Sequence, residues 1–245
     1  MENGVMIVQA ASNLKYIGKT TLRIENGRVT GRSDEVIPIS ALHKADSALV
    51  ELCGKYNWNE EFSRVAGIAE APLEGYDALG SLMTDALTHQ LKVDVAFQNR
   101  GGIRVSSLPQ GPITIKDIYQ LDPFGNLVVT CRMRTEEIRS LISYAYNLEK
   151  VIDLQVSGMR YTVTSDGQGY CLGVDLSDNS GKALDPSRDY IVAMNSYIAA
   201  SYRFYHSDPG TTGSVTTAEL LIQYLKEVKK VNYTGVKRAL QTVKP

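Results

Sequence analysis

The sequence predicts a protein of the α+β class, in which helices and hairpin-linked strands are mixed along one chain. Segments with alternating apolar residues, such as TTLRIE, lie among segments whose apolar residues recur every three or four positions, such as YDALGSLMTDALTHQL. Turn sequences such as Asn26-Gly27 and Asn179-Ser180-Gly181 separate several of the strands. Strands linked in this way favour α+β over a doubly wound parallel sheet.

The first segment of the chain reads as sheet followed by a helix. We predict strands in VMIVQA (residues 5–10) and TTLRIE, and Asn26-Gly27 predicts a hairpin turn before the next strand at Arg28. From Ile39 the apolar residues adopt helical spacing, and Gly54 is a candidate for the end of that helix. A single helix after isolated strands predicts a linker between two domains.

From Val65 onward the sequence predicts one continuous domain without internal repeats. Thr135 is the expected N-cap of its central helix, because acidic residues follow it at once. The predicted strands lie in VAGIAEA, VDVAFQN, the start of GPITIKDIYQLDPF, LVVTCRM, MRYTVTSD, YCLGVDLSD and YIVAMNSYI. The predicted helices lie in YDALGSLMTDALTHQL, the later part of GPITIKDIYQLDPF, RTEEIRSLISYAYNLE and TTAELLIQYLKEVKK.

Composition excludes several classes of function. The formal net charge of the 245 residues is −1, so no overall basic field attracts nucleic acid or an anionic membrane, and we expect neither partner. Cys53, Cys131 and Cys171 lack the spacing of a zinc site and predict no disulfide framework. No apolar run is long enough to span a bilayer, and no signal peptide is recognisable.

The segment NRGGIR is the first candidate site. Asn99 and Arg100 stand at the end of a predicted strand, and Gly101-Gly102 would allow a ligand to approach the backbone closely. Arg104 offers a planar guanidinium suited to a phosphate or carboxylate. The alternative is a tight turn followed by a surface arginine.

The segment LDPFGN is the second candidate. Its Asp-Pro and Gly-Asn steps favour turns, so we expect Phe124 at a turn tip, where it could stack on a planar ring, with Asn126 beside it. The alternative is that Phe124 folds back onto the core.

The segment MNSYIAASYRFYH is the third candidate. It follows an apolar strand and places Tyr197, Tyr202, Phe204 and Tyr205 around Arg203, a composition that could enclose a ring. The alternative is ordinary packing of a helix.

Catalytic motifs are missing from the sequence. His43, His89 and His206 are far apart and show no metal-ligand spacing. Ser81 lies outside a GxSxG motif, and no phosphate-binding glycine loop follows a strand. We therefore expect no metal or other cofactor bound by this chain, and no nucleophilic active site.

Several motifs in series resemble one known family. NRGGIR, GPITIKDIYQLDPFGNLVV, LQVSGMRYTV and YIVAMNSYIA resemble, in order and spacing, the C-terminal domain of the 5′-nucleotidase family, two-domain metallophosphoesterases that hydrolyse nucleotides and related phosphate esters. The resemblance implies a layered α/β/β/α domain at 65–245 and a linker helix at 36–64. It also implies that residues 1–35 are the last strands, a short β remnant, of the family's metallophosphatase domain.

The resemblance also implies roles for individual residues. Asn99 and Arg104, with Gly101 and Gly102 between them, match the motif that contacts the sugar or phosphate side of the nucleotide. Phe124 and Tyr197 match the two aromatic residues that stack on opposite faces of the base, and Asn126 follows in the same PFGN motif. The divalent metal pair and the catalytic residues belong to the family's other domain, so the resemblance implies a part that binds a nucleotide and does not hydrolyse it alone.

Two segments depart from the family pattern. Where the family has a Gly-Gly-Asp step that binds the ribose, this chain has Ser201, Tyr202 and Arg203, and Arg203 could face an additional negative group. Where members have arginine and glutamate before LGNLITDA, this chain reads LEGYDALGSLMTDA.

The family's usual location implies an extracytoplasmic protein. A stand-alone nucleotide- or nucleoside-binding module and a degenerate structural domain remain alternative interpretations.

Overall fold

The computed structural model describes residues 2–12 and 14–244, which fall into two compact units, Met1–Asn59 and Glu60–Pro245. The units therefore divide between Asn59 and Glu60. The domain limits at 35 and 64, and the assignment of the first strands to a phosphatase domain, stay predictions.

The first unit contains the predicted hairpin. Strand β1 (Tyr16–Glu25) pairs antiparallel with β2 (Arg28–Pro38). Asn26 and Gly27 connect them with φ angles of 50° and 74°, the left-handed conformations that a two-residue hairpin turn requires. The prediction of a hairpin at this step is confirmed.

A second prediction for the first unit is wrong, and a third is right about a helix but wrong about its bounds. Residues 5–10 form no strand, and Val5 makes only a single bridge with Glu2. Among the described residues, the sheet of the first unit contains β1 and β2 alone, so residues 5–10 have no strand to pair with. Helix α1 (Ser47–Asn57) begins eight residues after Ile39 and continues past Gly54. Its start is fixed by Asp46, whose Oδ1 accepts hydrogen bonds from the backbone N–H groups of the next turn.

The second unit has the mixed α and β composition that the sequence predicts, and the α+β class is confirmed. Its helices are, in chain order, α2 (Glu60–Ser63), α3 (Gly75–Leu91), α4 (Ile115–Leu121), α5 (Thr135–Glu149), α6 (Ser196–Ser201) and α7 (Thr217–Val228). Its strands are β3 (Val65–Ala69), β4 (Leu73–Glu74), β5 (Val95–Asn99), β6 (Ser107–Leu108), β7 (Gly111–Thr114), β8 (Leu127–Met133), β9 (Leu154–Ser157), β10 (Arg160–Ser165), β11 (Cys171–Ser177), β12 (Tyr190–Asn195), β13 (Thr211–Thr216), β14 (Lys230–Val231) and β15 (Ala239–Val243).

A five-stranded sheet in the order β13-β8-β12-β5-β9 forms the centre of this unit. Strands β5 and β12 run parallel to each other, whereas β8 and β9 are antiparallel to their neighbours. The smaller sheets are β11-β10-β15, β14-β3-β7 and β4-β6. The parallel pair positions the site, because the carboxyl ends of both strands lie at the same edge of the sheet.

Two large apolar clusters stabilise the layers. In one, Ile138 and Leu141 of α5 pack with Phe97 and Met133 of the central sheet. The other joins α3 and α7 to α4 and the β3-β7 pair. Burial of this apolar surface is the main stabilising contribution to the unit. No described helix has the length and apolar composition required to cross a membrane.

The expected cap of α5 is displaced by one residue. Arg134 is the N-cap, and its backbone N–H donates to Glu137 Oε2 (2.7 Å). Thr135 is fully buried as the first helical residue, and its hydroxyl accepts from Arg139 Nη1 (3.2 Å). The hydroxyl therefore bonds a later side chain and does not cap the helix.

Candidate functional site

Two neighbouring parallel strands end side by side at the candidate site. Strand β5 ends at Asn99, and β12 ends at Asn195. Asn195 is also the N-cap of α6, and its Oδ1 accepts from the backbone N–H of Ile198 (2.9 Å). Helix α6 carries Tyr197, so the sheet edge places this aromatic residue beside the turn that follows Asn99.

A buried amide network joins the two strand ends. Asn195 Nδ2 donates to Asn99 Oδ1 (2.9 Å) and to Gln98 Oε1 (3.2 Å). Gln98 Nε2 donates in turn to the backbone oxygen of Asn99 (3.3 Å). These side chains are almost completely buried, so the bonds of the network replace bonds to water for the groups that take part.

The two glycines after β5 face different surroundings. A Cβ atom at Gly102 would lie closer to Gln98 Nε2 than real Cβ atoms approach their neighbours, and 2.9 Å from Asn99 Oδ1. A Cβ atom at Gly101 would have Asn99 Nδ2 as its nearest neighbour, at 3.3 Å. Gly102 is therefore required by the amide network, whereas Gly101 is exposed at the site.

The loop that carries Phe124 is held at both sides by α7. Asp122 is 2% exposed and accepts a hydrogen bond from the Thr217 hydroxyl. The backbone N–H of Thr217 donates to the carbonyl oxygen of Asn126 (2.9 Å). Burial raises the pKa of Asp122, and hydrogen bonds from Thr217 and from the Phe124 backbone partly oppose that rise. The loop is thereby fixed while the Phe124 ring stays 53% exposed.

These elements enclose a cleft of about 250 Å³, which we call the stacking cleft. Phe124 and Tyr197 line it, and Tyr197 is 52% exposed. The cleft brings together six of the residues that the sequence predicts: Asn99, Gly101, Gly102, Phe124, Asn126 and Tyr197.

A second pocket of about 330 Å³, which we call the polar pocket, adjoins the stacking cleft. Asn99, Gly101 and Tyr197 line both, and the predicted residue Arg104 lines the polar pocket only. The structure does not place Arg203 in either pocket: it is exposed after the end of α6.

Sequence reasoning missed Tyr76 and Asp153 of the polar pocket, whereas Arg100 and Tyr202 belong to its first and third candidate segments. Arg100 and Tyr76 lie in it, with Arg100 Cζ 4.4 Å from the centroid of the Tyr76 ring. Tyr202 donates its hydroxyl hydrogen to Asp153 Oδ2, and both residues line the pocket. Burial is the main factor that raises the pKa of Asp153. The only sequence signal for Asp153 is its position immediately before the buried strand β9.

The described residues offer no metal site. Within residues 2–12 and 14–244, no three side chains of His, Cys, Asp or Glu are grouped in a way that could hold a metal ion. The divalent metal pair implied by the resemblance therefore fits no group of these side chains, and its location in a separate catalytic domain stays a prediction.

Residues 63–205 match the sequence model of a family described as the C-terminal domain of 5′-nucleotidase. Among curated proteins, the 5′-nucleotidase of Vibrio cholerae is 27% identical, over 95% of this chain and 46% of that protein. The endonuclease YhcR of Bacillus subtilis is 28% identical, over 91% of this chain and 19% of that protein. The chain thus spans less than half the length of these relatives.

Solved structures show the same architecture. A 5′-nucleotidase precursor from Thermus thermophilus is 26% identical and superposes with a TM-score of 0.65, over 94% of this chain and 50% of that one. A putative 5′-nucleotidase from Staphylococcus aureus, 18% identical, superposes with a TM-score of 0.67 over 94% of this chain and 51% of that one. At that lower identity, the second match bears on the fold alone.

Proposed function

The chain belongs to the family of 5′-nucleotidase C-terminal domains, and on that premise we propose that it recognises the nucleotide substrate of a 5′-nucleotidase-like phosphoesterase. The observation that carries the proposal is the stacking cleft, in which two half-exposed aromatic residues, Phe124 and Tyr197, stand beside buried amides. Such a combination of apolar walls and a few fixed polar groups is typical of small-molecule sites.

In this proposal the base lies against the aromatic rings. Stacking of a base on an aromatic side chain contributes about 1–3 kcal/mol, and it tolerates different bases because each has a π face. Asn99 and Asn126 provide polar groups at the wall of the cleft, and the exposed Gly101 leaves room for the sugar to approach the backbone. Arg104, in the adjoining pocket, provides a guanidinium for the anionic group.

We further propose that hydrolysis belongs to a metallophosphatase domain of the same protein, which would hold the divalent metal pair. Relatives named 5′-nucleotidase extend well beyond the region that this chain matches, which supports the proposal.

An extracytoplasmic location is part of the same proposal and rests on the family resemblance. Fractionation of cells that express the whole protein tests the location, and recovery in the cytoplasm alone would contradict it.

Calorimetric titration of the chain with AMP and adenosine tests the recognition role. We expect both to bind the wild-type protein, and Phe124→Ala to weaken both by about 1–3 kcal/mol. Tyr119→Ala is the matched control, because Tyr119 is an exposed aromatic residue of α4 that lines neither pocket. Binding that is equally strong in Phe124→Ala would contradict the stacking role. No binding to the wild-type protein would favour a structural domain.

A phosphate-release assay with AMP and added Mn²⁺ or Zn²⁺ tests the assignment of hydrolysis to a separate domain. We expect no turnover by the chain alone, because its described residues include no metal site. Metal-dependent release of phosphate would contradict the assignment of hydrolysis to another domain.

A further inference from the structure

The polar pocket adjoins the stacking cleft. Three lining residues, Asn99, Gly101 and Tyr197, are common to both cavities. A ligand whose ring occupies the cleft therefore lies next to the polar pocket, whose volume is about 330 Å³.

Two arginines in the polar pocket are each held against an aromatic ring. Arg100 Cζ lies 4.4 Å from the centroid of the Tyr76 ring, and Arg104 Cζ lies 5.5 Å from that of Phe124. Their backbones are also fixed, since Arg100 N donates to Asp153 O (2.7 Å) and Arg104 N donates to Leu121 O (2.9 Å).

Neither guanidinium group is held in an ion pair, so each keeps hydrogen-bond donors for a ligand. Among the ion pairs of the described residues, none includes Arg100 or Arg104. Arg100 gives one donor to the Tyr76 side chain. A guanidinium carries five N–H donors, so the others remain to bind a phosphate or a carboxylate. The pocket thus holds two guanidinium groups in its lining.

The same pocket also contains acceptors. Asp153 accepts from the Tyr202 hydroxyl at one oxygen, and Glu149 lines the pocket at the surface. A free polyanion would be repelled by these carboxylates. A sugar phosphate instead carries hydroxyl donors, which the carboxylates can accept, and an anionic group, which the two arginines can bind.

We propose that Arg100 joins Arg104 in binding the phosphate group of a nucleotide whose base occupies the stacking cleft, with Tyr76 positioning Arg100. This assignment rests on the proposed nucleotide recognition and deepens it. Arg100 thereby becomes a specificity residue that distinguishes a nucleotide from its nucleoside.

Titration of three proteins with AMP and adenosine tests the assignment. Arg100→Ala should weaken AMP binding by about tenfold or more, since a hydrogen bond to a charged group is lost, and should change adenosine binding by less than about twofold. Arg160→Ala is the matched control, because Arg160 is exposed on β10, lines neither pocket and forms no ion pair among the described residues. It should bind both ligands as the wild type does.

A second pair of variants separates positioning from folding. Tyr76→Phe keeps the ring beside Arg100 but removes the hydroxyl that bonds it, so it should reduce the preference for AMP over adenosine less than Tyr76→Ala does. Equal loss of AMP and adenosine binding in Arg100→Ala, or an unchanged AMP affinity, would overturn the assignment while leaving nucleotide recognition intact. Failure of the wild-type protein to bind either ligand would overturn both proposals.

Discussion

Asn195 donates a hydrogen bond from Nδ2 to Asn99 Oδ1 over 2.9 Å and so ties together the ends of two parallel strands. One of these strands leads into the glycine turn, and the other leads into α6 and Tyr197. A single buried amide therefore couples both sides of the stacking cleft.

Replacement of Asn195 should destabilise the protein. Asn195→Ala removes two donated bonds and the acceptor for Ile198 N–H in a position that is 0% exposed. Because unsatisfied groups would remain buried, we expect the free energy of unfolding to fall by about 1–3 kcal/mol, measured by urea unfolding with circular dichroism. Asn179→Ala, in an exposed turn, is the control and should change stability little. An equally small effect of Asn195→Ala would show that the network is dispensable.

Alanine at the two adjacent glycines should give opposite phenotypes. Gly102→Ala introduces a Cβ that overlaps the buried Gln98 amide, so we expect a loss of about 1–3 kcal/mol of stability. Gly101→Ala meets only Asn99 Nδ2 at 3.3 Å and should fold with a smaller loss, yet bind AMP more weakly because the methyl group occupies the approach to the backbone. Thermal unfolding and AMP titration of both variants measure the contrast, and equal stability of the two would contradict it.

Asp122 should make stability decrease as pH rises. Burial raises its pKa, so the folded protein holds a proton that the unfolded chain releases near pH 4. The contribution of Asp122 to stability is therefore largest below the unfolded pKa and is lost as pH rises through the folded pKa. Asp122→Asn has no proton to release, so its stability relative to the wild type should improve from about pH 4 upward, measured by urea unfolding at a series of pH values.

Glu219→Gln provides a control of opposite sign. Hydrogen bonds from Thr216 lower the pKa of Glu219, so that carboxylate stabilises the folded state above its unfolded pKa, and the contribution is lost as pH falls. The stability of Glu219→Gln relative to the wild type should therefore worsen as pH rises. The same sign of change in both variants would contradict the assigned pKa directions.

Cysteine reactivity should report the packing of β8. Cys131 is 7% exposed, and burial raises the pKa of its thiol to about 12, so almost no thiolate forms at neutral pH. We expect a maleimide to modify the exposed Cys53 in the native protein and to leave Cys131 unmodified, as measured by peptide mass spectrometry. Protein unfolded in urea is the control, in which Cys131 should react. Rapid native modification of Cys131 would mean that β8 opens readily.

Local chemistry allowed several features to be predicted. Asn26-Gly27 favours left-handed backbone conformations and produced the hairpin. The turn residues around Phe124 kept that ring exposed. The α+β class followed from periodicity, and the family from motifs in series. By contrast, two predictions that used apolar spacing alone failed. The strand at 5–10 has no partner strand, and α1 begins at its Asp46 cap instead of at Ile39.

What the sequence by itself determined is therefore short-range: turns, helix periodicity, and the residue types of NRGGIR and PFGN. Only the tertiary structure decided which distant residues meet. Thr217 reaches Asp122 across 95 positions, and Asn195 reaches Asn99 across 96. The pairing of β9 with β5 placed Asp153 in the polar pocket, whereas the segment after α6 leaves Arg203 outside it. The physical reason is that backbone preferences act over a few residues, whereas these contacts depend on which strands pair and which apolar faces pack together.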